Sequence, residues 1–273
     1  MLRYIAGNTI KSALRCSMKS IQNNKIPIIN YAIEETNDKY RIFNEHKSLI
    51  EKLNPGSKIA IKLSSFQFDK KLINQLLELS IENSIQVIID AEKGLDYYKY
   101  QNISNEILFT HNTDKCNVVK TYQMYRKDSL ETLIHDLEFF KQNDIFFGTK
   151  LVRGAYWNSE NNEGYLFQKK NQTDTSYNYA LLHLANNYHT KNYNILATHN
   201  TESIHLGGLL NDFHKNTIFD FAHLLGMKEK KYNNYVKKGE NVHVYIPYGP
   251  YKEMIPYLSR RLFENLDTLR YIF

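Results

Sequence analysis

Short apolar runs alternate with longer stretches whose apolar residues recur at the spacing of an amphipathic helix, almost from one end of the chain to the other. Ile26–Tyr31 reads as a strand, and Tyr40, Phe43, Leu49 and Leu53 mark a helix that Pro55-Gly56 stops. Lys58–Leu63 reads as a buried strand, Asp69–Asn83 as a helix, Ile85–Asp90 as a strand and Leu95–Asn105 as a helix. Val118–Met124 and Phe146–Arg153 are strands on either side of a helix at Ser129–Asn143, where Leu130, Leu133, Leu137 and Phe140 share a side. The polar stretch Asn158–Asp174 is expected to be a loop beside a strand end. The alternation then resumes with helix Thr175–Tyr188, strand Tyr193–Thr198, helix Glu202–His214, strand Thr217–Phe221, helix Lys228–Lys237, strand Val242–Ile246 and a last helix Tyr251–Leu269. An amphipathic helix around Asn8–Asn23, with Ile10, Ala13, Leu14 and Ile21 as its stripe, precedes the first strand.

Strand followed by helix, repeated eight times in 273 residues, predicts an α/β fold of the (β/α)8 type, which typically takes about 250 residues. Nearly all of the length goes into these units, so a single domain over 1–273 is expected. The hydrophobic content of 42% suffices for one large core. Cys16 and Cys116 stand apart, outside any CxxC or Cys/His spacing, which argues against a disulfide scaffold or a structural zinc site. No apolar run reaches the ~18 residues of a membrane span, which leaves peripheral attachment open. The net charge of +6 is too small and too scattered to mark nucleic-acid binding. Glu34 is the first acidic residue, after Arg3, Lys11, Arg15, Lys19 and Lys25, a pattern equally compatible with an organellar leader and with the first helix.

In a (β/α)8 barrel the chemistry sits where strands give way to the following helices. Lys62 and Asp90 close two otherwise apolar runs, and across neighbouring strands they are placed to pair. A buried lysine there also suits a Schiff-base aldolase, while Asp90 alone suits a helix cap. Lys150, Arg153, Gly154 and Trp157 lie at the fifth strand end, where an Arg fork suits phosphate or a ring edge and the glycine lets a planar ligand approach. Gln123 adds an amide one strand earlier. Thr198, His199 and Asn200 supply polar groups that fit a cofactor or a helix cap, without a second ligand at metal spacing. Arg260 and Arg261, with Glu264 three and four residues on, place two guanidiniums and a carboxylate on one helical surface, a clamp for a small carboxylate or an ordinary solvated face. Tyr245 and the Pro247-Tyr248-Gly249-Pro250 turn stand just upstream.

The segments Leu151–Trp157, Ala197–Asn200, Phe221–Met227, Tyr245–Pro250 and Tyr257–Asn265, in this order, resemble proline dehydrogenase. Shorter similarities at Tyr31–Glu35, Ile61–Ser64, Ile89–Glu92 and Thr121–Tyr125 carry the resemblance over nearly the whole chain. It implies a distorted TIM barrel with an extra N-terminal helix, carrying FAD and oxidising L-proline to Δ1-pyrroline-5-carboxylate by hydride transfer from C5 to flavin N5, with electrons passed to a membrane quinone. By the same resemblance Arg260 and Arg261 hold the proline carboxylate, Lys62 and Asp90 are polar residues of the substrate site, Tyr245 packs over the substrate ring and Leu224 forms an apolar wall. Gln123, Lys150, Arg153, Gly154, Ala155, Trp157, Thr198, His199 and Asn200 fall in motifs that contact FAD; Glu264 organises the final arginines and Glu35 acts as a gate. No metal is implied. The resemblance fits a mitochondrial inner-membrane location or a bacterial cytoplasm with peripheral membrane attachment. The rival readings are a hydroxyproline or other cyclic amino acid dehydrogenase and a degenerate barrel acting as a binding scaffold.

Overall fold

Val and Ile crowd the strand segments because each strand is covered on both faces, by the barrel interior on one side and by helices on the other. A computed structural model describes residues 2–33, 38–160 and 164–254. The chain order is α1 (Ile10–Gln22), β1 (Ile26–Tyr31), α2 (Lys39–Ile50), β2 (Lys58–Ile61), α3 (Lys70–Glu82), β3 (Gln86–Ile89), α4 (Asp96–His111), β4 (Val118–Gln123) and α5 (Ser129–Gln142). It continues with β5 (Phe147–Val152), α6 (Trp157–Glu160), α7 (Lys170–Asn186), β6 (Asn192–Ala197), α8 (Thr201–His214), β7 (Phe219–Leu224), α9 (Glu229–Lys237) and β8 (Val242–Tyr248). All eight strands are parallel and close in sequential order, β8 returning to β1 in a register from Ile26 opposite His243 to Tyr31 opposite Tyr248.

The predicted (β/α)8 architecture and the extra N-terminal helix are both present. Thr9 caps α1 by accepting from the Ser12 amide, and the helix packs along β1 and β8, covering the seam where the barrel closes. Two apolar layers follow from strand alternation. Ile28, Ala60, Ile88, Val119, Ile195 and Ala222 point inward and meet inside the barrel, whereas a larger cluster including Ile29, Ile59, Ile89, Leu151 and Phe221 faces the helices. The interior at the N-terminal end is polar but paired. Lys58 donates to Gln86, while Tyr193 (2.7 Å), His243 (2.9 Å) and Asn241 (2.9 Å) all reach Asp220.

Several expectations need correction. The stretch 158–174 is not simply a loop: α6 opens it, Leu166 is buried in a bridge to Arg126, and α7 begins at Lys170. The seventh strand starts at Phe219 and continues to Leu224, because Ala222 belongs to the interior and His223 to the outer layer. The fourth helix extends to His111. The last helix, expected over 251–269, lies mostly outside the described residues, and residues 251–254 form a turn.

Candidate active site

Two residues beyond Ala60, Ile88 and Ala222 stand Lys62, Asp90 and Leu224, so the alternation that builds the apolar interior sets a second layer at the C-terminal mouth. Tyr245 of β8 packs against the interior cluster below and donates to Asp90 Oδ2 at 2.5 Å. Lys150, inward on β5, forms a salt bridge with Asp90 Oδ1 and lies 5.4 Å from the centre of the Tyr245 ring. Asp90 is therefore held by both oxygens. The expected pairing with Lys62 is not made; the cation for Asp90 comes from β5, two strands round, because Lys150 points into the barrel there. Lys62 instead donates to the hydroxyl of Tyr156 and lies 5.1 Å from that ring's centre.

Arg153 leaves the end of β5 and is fixed on three sides. Its Nε donates to Asp174 Oδ1 (2.7 Å), its two terminal nitrogens to Thr198 and to Ser203 Oγ (3.0 Å), and its guanidinium lies 4.4 Å from the Tyr177 ring centre. Burial is the largest single influence on the Asp174 carboxyl and pushes it up, but Lys170 and Arg153 together outweigh it and hold the group below the usual carboxylate range. Asn200 caps α8 through the Ser203 amide (3.0 Å), the cap alternative for that residue. His199 Nε2 accepts from the Leu224 amide at 3.2 Å, so the imidazole proton is assigned to Nδ1. Gln123 is buried and donates to the backbone carbonyl of Glu92 at 3.0 Å.

Gly154 meets a neighbour within the chain that its sequence does not announce. Its φ is +132°, and a Cβ there would lie 2.4 Å from the Tyr125 ring, so the close approach it permits is by Tyr125 of the chain itself. Ala155 follows, half-buried, and Trp157 is 40% exposed with its indole N–H donating to the Phe167 carbonyl at 3.2 Å. Arg260, Arg261, Glu264 and Glu35 lie outside the described residues.

Four residues at the mouth escaped sequence reasoning. Tyr156 carries the hydroxyl that receives Lys62, and Asp174 anchors Arg153. Glu92, buried beneath the mouth, accepts from the Ser64 amide (2.9 Å) and hydroxyl (3.0 Å); burial pushes its carboxyl up, with Lys62 opposing. Glu160, 2% exposed, receives the Gly94 amide at 2.7 Å, the Tyr125 hydroxyl and, at 3.6 Å, Arg126. Glu160 thereby ties together the loops after β3, β4 and β5. A usable signal was the acidic residue inside a polar stretch next to an aromatic pair.

The donor set suits a flat ring with acceptors on one edge and an anionic tail. Arg153 uses three of its five N–H groups internally and Lys150 spends one donor on Asp90, so both retain donors for a ligand. Tyr156, Trp157 and Tyr245 add aromatic walls. These residues fit FAD beside a small anion. Among the described residues no group of His, Cys, Asp and Glu is arranged to hold a metal ion.

A closed parallel (β/α)8 barrel with lysines, an arginine, a carboxylate and tyrosines around its C-terminal mouth has the form of a TIM-barrel enzyme for small anionic ligands. The proline dehydrogenase family model matches residues 15–270, and the chain belongs to that family. It is 29% identical over 208 residues to "Proline dehydrogenase 1, mitochondrial" of Caenorhabditis elegans, which covers 71% of this chain and 34% of that protein. It is 30% identical over 259 residues to "Hydroxyproline dehydrogenase" of Xenopus laevis, covering 82% of this chain and 54% of that protein. The chain thus spans about a third to a half of the length of these curated relatives. The crystal structure of proline utilization A from Bdellovibrio bacteriovorus inactivated by N-propargylglycine has the same fold, with a TM-score of 0.88 at 20% identity over 97% of this chain and 32% of that one.

Proposed function

We propose that this chain is the FAD-dependent catalytic barrel of a proline dehydrogenase, forming one domain over 1–273 and converting L-proline to Δ1-pyrroline-5-carboxylate. The observation that carries this reading is the family match across 15–270 together with the Asp90–Lys150–Tyr245 cluster at the barrel mouth. FAD, when bound, supplies the acceptor at N5 for the hydride that leaves proline C5, and passes the electrons on to a membrane quinone. Arg153, Lys150, Gln123, Trp157, Thr198 and His199 hold the cofactor, with Gly154, Ala155 and Asn200 shaping the backbone around it. Arg260 and Arg261, organised by Glu264, fix the substrate carboxylate, and Glu35 closes the site over it.

The described residues have distinct tasks in this scheme. Tyr245 walls the substrate ring, and its hydroxyl is held by Asp90, so ring and carboxylate form one rigid surface. Leu224 provides the apolar side and Lys62 supplies positive potential, which favours loss of the proton from the substrate nitrogen. The mitochondrial relatives support a location on the matrix side of the inner membrane in a eukaryote; a bacterial source would place it at the cytoplasmic side of the inner membrane. Among the described residues no helix is long and apolar enough to cross a membrane.

The likeness to a hydroxyproline dehydrogenase supports a second reading, oxidation of the hydroxylated ring. Dye-linked oxidation of L-proline and of hydroxyproline by the same preparation separates the two. Faster turnover of proline is expected, because Tyr245, in its proposed place over the substrate ring, would disfavour a bulkier hydroxylated ring; turnover of hydroxyproline alone would overturn the substrate assignment. Replacing Arg260 or Arg261 with Met is expected to raise KM for proline by roughly tenfold to a hundredfold through lost charge-assisted bonds, while the flavin stays bound.

A further inference from the structure

Leu224 is gripped at both of its backbone groups by side chains. Strand β6 ends with Ala197 opposite Ala222, so the Leu224 amide lies past the ladder and donates instead to His199 Nε2 at 3.2 Å. Its carbonyl accepts from Nδ1 of His223 at 2.9 Å and from the Met227 amide at 3.0 Å. One residue on, the Leu225 amide donates to the Tyr245 carbonyl at 3.0 Å, and Leu224 and Tyr245 are register partners of β7 and β8. The apolar residue and the aromatic at the mouth are thereby joined through one stretch of fixed backbone.

His223 itself points into the outer layer, its ring buried and stacked on Tyr232 of α9 with centres 4.5 Å apart. Lys25, buried where α1 hands over to β1, brings its ammonium to 3.3 Å from Nε2 of that ring and 2.7 Å from Glu229 Oε2. An ammonium only donates, so Nε2 accepts and the imidazole proton is assigned to Nδ1, the nitrogen that faces the Leu224 carbonyl. Glu229 in turn receives the Gly226 amide at 3.1 Å, which seats its carboxylate in the β7α9 turn. Burial is the main influence that keeps the ring neutral; Glu229 opposes it and Lys25 adds to it. Desolvating Lys25 against this ring has a cost, and the result is a single tautomer with its donor aimed at the Leu224 backbone.

We propose that His223 is a positioning residue of the mouth: Lys25 fixes its tautomer, and its Nδ1–H holds the Leu224 carbonyl so that the Leu224 side chain stands in one place beside Tyr245. This rests on the reading of Leu224 as the apolar wall of the proline site. A wall that drifts loses contact with the ring in the bound substrate and in the transition state alike, so the loss falls on substrate binding and not on the hydride step. His223→Leu removes both bonds of the imidazole. His223→Gln keeps them, its amide nitrogen donating to the Leu224 carbonyl and its amide oxygen accepting from Lys25.

The flavin-loaded protein and its variants are compared in dye-linked oxidation of L-proline. His223→Leu is expected to raise KM about fivefold, with kcat changed less than about twofold and flavin content unchanged, and His223→Gln to restore most of the native KM. Asp136→Ala, which loosens the fold at the joint of β4 and α5, is expected to leave KM alone, so a general loss of stability does not imitate the effect. The tautomer is read without turnover, by nitrogen NMR of isotope-labelled histidine. The His223 signal, identified by its loss in His223→Gln, is expected to show a protonated Nδ1 and a bare Nε2, and Lys25→Met to mix the two forms. A proton on Nε2 in the native protein, an unchanged KM in flavin-loaded His223→Leu, or a Gln variant as impaired as the Leu variant would overturn the proposal. A protein that binds flavin and turns over no proline would instead overturn the enzymatic reading, and the tautomer would still test the clamp on Leu224.

Discussion

Asp90 shows how much a single carboxylate organises at the mouth. Lys150 is almost wholly buried, and removing its partner leaves a cation with poor access to water. Asp90→Ala is therefore expected to lower stability by about 2 kcal/mol, discounted for the partial exposure of Asp90, with Asp90→Asn costing less because it keeps an acceptor for Tyr245. Thermal unfolding of the three proteins checks this, and equal midpoints would contradict it. Gly154→Ala is expected to cost about 1–3 kcal/mol through its positive φ and its clash with Tyr125. Sequence reasoning picked out Asp90, Lys62 and Gly154 as unusual, because charges and glycines at strand ends stand out locally. It chose the wrong partner for Asp90 and did not name Tyr125 as the neighbour of Gly154. Each depends on the stagger of strands around the barrel, which local spacing does not encode. Tyr156 and Glu160 were missed for the same reason.

At the scale of elements, the joint between β4, α4 and α5 carries a fully buried ion pair. Lys120 reaches Asp136 Oδ2 at 2.6 Å and Asn105 at 2.6 Å, while Tyr122 donates to the same Asp136 oxygen at 2.7 Å. Burial pushes the Lys120 ammonium down to about 8 despite Asp136. Asp136→Ala is expected to destabilise by about 3–5 kcal/mol, whereas Lys120→Met with Asp136→Leu removes both charges and loses far less. Urea unfolding distinguishes the cases, and a single variant no weaker than the double would contradict them. The helices and strands themselves were legible, since their periodicity and caps are local: Asp69 and Asn200 cap α3 and α8 at the positions their sequences suggest. The early start of α7 was not, because its first turn is polar and its buried Thr173 and Ser176 carry no apolar signal.

The whole molecule adds a pH dependence that no segment shows alone. His46, His223 and His243 are buried, and desolvation holds each below the ordinary histidine value near 6.5. In His223, Nδ1 lies 2.9 Å from the Leu224 carbonyl and Lys25 lies 3.3 Å from Nε2, an arrangement that suits the neutral ring. As pH falls through about 6.5 the unfolded chain takes up protons before the folded one does, so stability present above that pH is lost below it. Urea titrations are expected to show this loss, and His223→Gln to flatten part of it; a stability rising toward pH 5 would contradict the assignment. The barrel was legible because eight repeats leave few alternatives for a parallel sheet, and the seam-covering α1 followed from its amphipathic stripe. The proposal that this barrel is a flavin-dependent proline oxidase is tested most directly by the absorption spectrum of the purified protein before and after anaerobic addition of L-proline. The account predicts a flavin band that proline bleaches; a protein that holds no flavin after reconstitution with FAD, or a flavin band that proline leaves unchanged, would contradict it.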